Sequence, residues 1–191
     1  MTLLKIAYIG APVLRTTARE LSLEQLRSDA CQKFIDDLIA TMRDANGAGL
    51  AANQVFQPIR ICAIEVGNNP RYPYKPKIPL TVLVNPMLTP ISELNFENYE
   101  GCLSVPNLRG KVQRWAEIRV QALDRNGENI DTVVRGITAG TYQHEVDHLD
   151  GCLFVDKVTD HSSLCTWDNF SRHYEADFRD QVASIVKRFG S

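Results

Sequence analysis

The apolar residues of this chain change their spacing along its length, and that change confines it to folds in which helices and strands occupy separate stretches. Phe34, Ile35, Leu38, Ile39 and Met42 recur at helical intervals until Asn46-Gly47 ends the pattern, and Ser22 followed by Gln25 has the form of a capping box. A helix over roughly residues 23–44, packed on a core by one face, follows from this. From Ile59 the period shortens: IRICAIEV and TVLVNP are β-branched runs, separated by a loop whose prolines at 70, 73, 76 and 79 block regular pairing. WAEIRVQAL alternates through Ile118, Val120 and Ala122, turns at Asn126-Gly127 and returns through IDTVVRG, which predicts an antiparallel hairpin. Residues from about Thr138 to Leu149 read as helix again, closed by Gly151 at the position where a left-handed conformation often ends a helix. Leu164, Trp167, Phe170, Tyr174, Phe178, Val182, Ile185 and Phe189 then fall at threes and fours, the stripe of one long amphipathic helix over about 161–189.

Strands that precede helices without regular alternation predict an α+β fold rather than a doubly wound sheet. The expected architecture is antiparallel or mixed sheets around the helix that ends near Leu149, with an N-terminal helix and a C-terminal amphipathic one. With 191 residues, 44% of them hydrophobic, the chain can bury a core as one domain over 1–191 without disulfide staples. A net charge of −2 offers no field for nucleic acid or an acidic membrane. The five cysteines are odd in number, scattered and free of any Cys-x-x-Cys pair, the usage of a reducing compartment. The opening MTLLKIAYIGAPVLR has neither a secretory apolar core nor a transit composition, and no run reaches the roughly 18 apolar residues of a membrane span. A cytoplasmic protein is expected.

The densest chemistry lies in His144-Glu145-Val146-Asp147-His148. On a helix, i and i+4 place both imidazoles on one face, close enough to share a metal, with a carboxylate beside the first. The chain has only four histidines, so two in this spacing around a glutamate are better explained by metal binding than by chance. A catalytic metal takes three protein ligands and keeps one position open. Downstream, Asp150, Asp156, Asp160 and His161 do not complete the usual peptidase pattern. Upstream, Cys102 sits in EGCLSVP, although an isolated cysteine is by default a small buried hydrophobe.

Three segments taken together go further. GAGLAANQ at 47–54, EGCLSVP at 100–106 and QHEVDHLDG at 143–151 resemble, in order and separation, the three signature segments of the peptide deformylase family, and Pro12-Val13-Leu14-Arg15 is similar to its N-terminal region. The resemblance spans about residues 5–157. It implies metal-dependent hydrolysis of the N-formyl group from N-formylmethionyl peptides of nascent proteins, with release of formate. Cys102, His144 and His148 would ligate the metal, Glu145 would be the acid/base residue, and Gln54 with the backbone amide of Leu103 would hold the oxyanion. Ala48, Gly49, Ile137, Gly140 and Thr141 would border the methionine side chain, and Arg109 would reach the peptide further along. The resemblance implies Fe2+ as the physiological ion, although the same ligands also accept Zn2+, Ni2+ or Co2+. It further implies a bacterial, cytoplasmic enzyme whose partners are the formyl peptide and, transiently, the ribosome, with no nucleic acid site and no membrane.

Glycines at 47 and 49 allow a close backbone approach, so the peptide is expected to add as a strand along this segment. Asn53 stands where many members of the family have proline, a change expected to loosen the loop. Asp147 points away from the histidine face and reads as an anchor to Arg114, while His161 and His173 read as surface residues. The aromatic tail is expected to pack on the domain or on a partner subunit. The rival functions are a zinc metallopeptidase using the same His-Glu-His helix and a binding module whose metal is closed by a fourth protein ligand.

Overall fold

The computed structural model describes residues 2–191 except 68 and 70, so Pro70 of the proline-rich loop lies outside the described residues. The chain forms α1 (Leu23–Arg27), α2 (Asp29–Asp44), β1 (Gly49–Ala51), β2 (Ile61–Val66), β3 (Ile78–Pro90), β4 (Asn95–Cys102), β5 (Val105–Trp115), β6 (Glu117–Leu123), β7 (Asn129–Arg135), α3 (Gly136–Leu149), α4 (Trp167–His173) and α5 (Glu175–Phe189). The α+β architecture expected from the sequence is the one observed. One antiparallel sheet runs β1-β2-β3-β6-β7, and β4 and β5 pair as a separate two-stranded sheet.

The helix expected over 23–44 is two helices. The capping box forms, but Ser28 is extended at φ −66° and ψ 143°. Its hydroxyl donates to the Gln25 carbonyl at 2.7 Å and accepts from the Cys31 amide at 3.3 Å, so one side chain closes α1 and opens α2. The hairpin of β6 and β7 forms at the expected turn, where Gly127 takes φ +87° and the Asp124 carboxylate accepts the amides of Asn126 and Glu128 at 2.8 Å each. Strand β3 outruns TVLVNP because Asn85, at φ 51°, shifts its register between Val84 and Met87. The Asn85 carboxamide meets the Leu21 backbone as both acceptor (3.0 Å) and donor (2.9 Å).

Helix α3 lies between the two sheets. One side buries Ala139, Tyr142 and Leu149 with Ile64, Leu83 and Ile118 of the larger sheet. On the other, Gly140 admits β4 and β5, since a β-carbon there would stand 3.1 Å from the Phe96 ring. Gly151, at φ +75°, ends the helix region as expected.

The tail is likewise divided. Tyr174, at φ −127° and ψ −21°, interrupts it between α4 and α5. Phe170, Phe178, Val182 and Ile185 are buried with Phe96 and Tyr99 of β4, so the aromatic stripe packs on this chain's own small sheet. Tyr174, 43% exposed, stacks on Tyr99 from outside with ring centroids 5.9 Å apart. Among the described residues, no helix is long and apolar enough to cross a membrane.

Candidate metal centre

Cys102 ends β4, and the turn through Leu103 and Ser104 places its sulfur against the buried His148 of α3. The Sγ lies 3.2 Å from His148 Nε2, and the ligand atoms of Cys102, His144 and His148 all fall within 4.8 Å of one another. The two imidazole rings stand 4.9 Å apart, edge to face, as the i and i+4 spacing requires. Ser104 donates its amide to the sulfur at 3.3 Å, and Gln54 Nε2 approaches it at 3.4 Å.

The electrostatics fit a cation. Burial pushes the Cys102 thiol up, but His148 and His144 outweigh it and hold the group well below its ordinary value, which favours the metal-binding thiolate form. Burial pushes His144 down, and Cys102 and Glu100 more than reverse that. A thiolate and two imidazoles in this spacing are a donor set suited to a divalent borderline metal. His144 Nδ1 lies 2.8 Å from Glu100 Oε2, which fixes the ring and directs Nε2 toward the sulfur. Among the described residues, His148 Nδ1 is buried without a partner.

Beneath the ligands is a buried ion cluster. Arg114 donates to both Glu100 oxygens at 2.7 and 2.8 Å and to Asp147 at 2.6 Å, and Lys157 adds a pair with Asp147 at 2.9 Å. Arg114 therefore does reach Asp147, and the same guanidinium also holds the carboxylate that orients His144. Burial pushes the Glu100 carboxyl up, yet Arg114 and His144 keep it well below the usual carboxylate range.

Glu145 is 4% exposed and, among the described residues, its Oε2 has no partner. Burial raises its pKa, opposed by His144 and His148. Its carboxyl group lies directly over Gly49, where any β-carbon would collide with it. That contact explains the glycine. Gln54 is held at both ends of its amide: Oε1 accepts from the Ala51 amide at 2.8 Å and Nε2 donates to Ser104 Oγ at 3.0 Å. Asn53 donates to the His148 carbonyl, so the residue expected to loosen this loop instead fastens it to α3.

Gln54, Leu103, Glu145, Ala48, Gly49, Gly140 and Thr141 line one cavity with Cys102 and His144. Ile137, also expected there, and Arg109, expected to reach the peptide further along, do not line it. Ile137 is packed in the core beneath, with Phe170 and Phe178. Arg109 is 1% exposed; it donates to Tyr74 Oη at 3.0 Å and the Tyr99 carbonyl at 2.7 Å and lies 3.8 Å from the Phe170 ring centre. The family resemblance that implied both carries no information on how deep a side chain sits. Conversely, Tyr72, Lys75 and Asn98 line the cavity without a sequence signal. Two come from the loop between β2 and β3, which has no periodicity to read.

The comparisons with known proteins agree with this geometry. The sequence model of the family described as Polypeptide deformylase matches residues 3–163, ending before α4. The chain is similar to peptide deformylase 1 of Prochlorococcus marinus, 42% identical over 165 residues that cover 86% of this chain and 85% of that one. It is 40% identical to peptide deformylase 2 of a Nostoc species, over 88% of this chain and 93% of the relative. Among solved structures it is similar to the Met-Ala-Ser-bound class I type b peptide deformylase of Acinetobacter baumannii: TM-score 0.79, 39% identity, 82% of this chain and 99% of that one.

Proposed function

The chain belongs to the peptide deformylase family, hydrolases that remove the N-formyl group from nascent peptides, and from that premise we propose how its own residues perform the reaction. Cys102, His144 and His148 hold one divalent metal, with Fe2+ as the native ion; the observation that carries the reading is their convergence within 4.8 Å beside the unpartnered carboxylate of Glu145. A metal held there would supply Lewis acidity, lowering the pKa of water from about 15.7 toward 7 and polarising a carbonyl.

Glu145 receives the proton of the attacking water and passes it to the amine nitrogen as the formyl C–N bond breaks. Its burial supports both halves of this role, because a raised pKa makes the carboxylate a stronger base toward the attacking water and lets its acid form keep that proton until the amine nitrogen takes it. Gln54 Nε2 and the Leu103 amide donate to the oxygen that gains negative charge; losing one such donor costs about 2.7–4 kcal/mol of transition-state stabilisation. The Ala51 and Ser104 contacts keep the Gln54 amide aimed. Strand β1 is an edge of the larger sheet, so the peptide adds to it along Gly49–Ala51. A. baumannii deformylase, solved with Met-Ala-Ser bound, supports a peptide in this groove. Ala48, Gly49, Gly140 and Thr141 flank the first side chain, whereas Ile137 and Arg109 support that wall from behind. The enzyme works in the cytoplasm on chains leaving the ribosome, through transient contact.

The test is formate release from formyl-Met-Ala-Ser by metal-loaded protein. Glu145→Gln should retain the metal and lose on the order of 10²–10⁴ of the rate. Internal peptide cleavage without formate would instead match the peptidase reading, and full activity of Glu145→Gln would remove Glu145 from the mechanism.

A further inference from the structure

The match to the family ends at residue 163, and the tail beyond it has no part in the reaction as described so far. The tail nevertheless touches the cavity from outside. Trp167, the first residue of α4, lies against two cavity-lining residues that come from different segments. Its ring covers Gly101, the residue before Cys102, where a β-carbon would stand 3.1 Å from the indole Cζ2. It also meets Tyr72 of the loop between β2 and β3, with ring centroids 5.9 Å apart.

That loop cannot position a cavity wall by itself. Pro73 and Pro76 keep the stretch around Tyr72 out of the sheet, and chain without regular pairing has low local stability. Asn69 ties one end down, donating to the Asn46 and Gly47 carbonyls at 3.0 and 3.1 Å. The tail supplies further contacts: the Arg71 guanidinium lies 4.9 Å from the Trp167 ring centre, and Tyr74 meets Phe178 edge to face at 5.2 Å. Trp167 is itself fixed from β5. Asn107 Oδ1 accepts its amide at 3.3 Å, the Arg109 and Cys165 backbones exchange hydrogen bonds at 2.8 and 2.9 Å, and the Arg109 guanidinium lies 4.4 Å from its ring centre. One rigidly seated ring therefore stands behind both Gly101, beside the metal ligands, and Tyr72, on the loop.

We propose that Trp167 is a positioning residue for the substrate: it sets the gap between Tyr72 and Gly101, so that the tail is a working part of the peptide-binding cavity. This rests on the deformylase reading and adds to it a residue outside the family match. A wall that meets the peptide alike before and during the reaction acts on KM more than on kcat.

The experiment measures kcat and KM for formate release from formyl-Met-Ala-Ser, and competition by the product Met-Ala-Ser, in metal-loaded wild type, Trp167→Leu and Trp167→Phe. Leucine keeps apolar bulk in the tail and removes the flat ring. Trp167→Leu should raise KM about tenfold and weaken product competition in parallel, with kcat changed less than about twofold. Its metal content should stay at the wild-type level, and Trp167→Phe should recover most of the loss. Tyr72→Leu should raise KM likewise, and the double variant should be no worse than the poorer single one, because the same wall is lost once. Ile185→Ala, which loosens the tail at a residue that does not line the cavity, should lower the melting temperature and leave KM unchanged. An unchanged KM in Trp167→Leu, an equal rise in Ile185→Ala, or additive effects of the Trp167 and Tyr72 variants would overturn the proposal and leave deformylation standing. Should Trp167→Leu not fold, an unchanged KM in Tyr72→Leu overturns it instead. No formate from the wild type would overturn the deformylase reading itself.

Discussion

The small sheet of β4 and β5 buries two opposite kinds of side chain, interleaved along its strands. Toward the metal centre it buries charge: Glu100 and Arg114, 4% and 2% exposed in their side chains, are paired with each other and with His144 and Asp147. Toward α5 it buries rings and aliphatic chains, with Phe96 and Tyr99 under Phe170, Phe178 and Ile185. Buried charges seldom improve on a well-packed apolar core in stability, because the desolvation of each ion offsets its attraction. They do fix orientation, and here the orientation is that of a metal-binding imidazole. The aromatic set, by contrast, gains from area removed from water and tolerates small changes of shape. The charged set aims a group, and the apolar set holds the sheet in place.

The contrast can be broken most strongly at Arg114. Arg114→Met leaves Glu100 and Asp147 buried without their shared cation, and urea unfolding should show a loss of about 3–5 kcal/mol; a loss below about 1 kcal/mol would mean that the cluster is solvated. Next comes its pH signature. Because Arg114 and His144, working against burial, hold Glu100 well below the usual carboxylate range, the unfolded chain binds more protons in the window between the two pKa values. That stabilisation is complete above the ordinary glutamate pKa and is lost as pH falls through the depressed folded value. Stability measured against pH should drop in that acid window, and Glu100→Gln should flatten the drop; an unchanged profile would count against the pairing. In the apolar set, Ile185→Val should cost only about 0.5–1.5 kcal/mol and leave formate release unchanged, since Ile185 does not line the cavity. Smallest of all, Arg119→Ala should leave the melting temperature unchanged, since its pair with Asp131 lies on the surface with both side chains about half exposed.

The same contrast governs what is legible in the sequence. His144 and His148 were legible because two ligands to one ion must share a helix face, which forces a spacing. Cys102 had no spacing rule and entered only through the segment around it. The stripe of the tail was legible as amphipathic, yet its break at Tyr174 and its docking on β4 were not, since periodicity says which face is buried and not against what. Ser28 escaped notice for a related reason: a serine inside an apolar pattern is tolerated in a helix or ends one, and its bond to the Gln25 carbonyl decides which. The β4–β5 pairing was hidden because Glu97, Asn98 and Glu100 interrupt the apolar alternation, and their partners Arg114 and Lys111 lie on the neighbouring strand. Lys75 was invisible altogether. A lysine in a proline-rich loop reads as solvent-facing until the chain folds it over Thr141.

The central claim is that Cys102, His144 and His148 form one metal site with Glu145 acting beside it. Metal content per chain, measured on protein purified without oxygen, tests it most directly when the wild type is set beside Cys102→Ala and Glu145→Gln. The account predicts about one divalent ion, iron, per wild-type chain and per Glu145→Gln chain, as a three-ligand catalytic site requires, and a large loss from Cys102→Ala. Full metal content in Cys102→Ala, or loss of metal from Glu145→Gln with Cys102 intact, would contradict it.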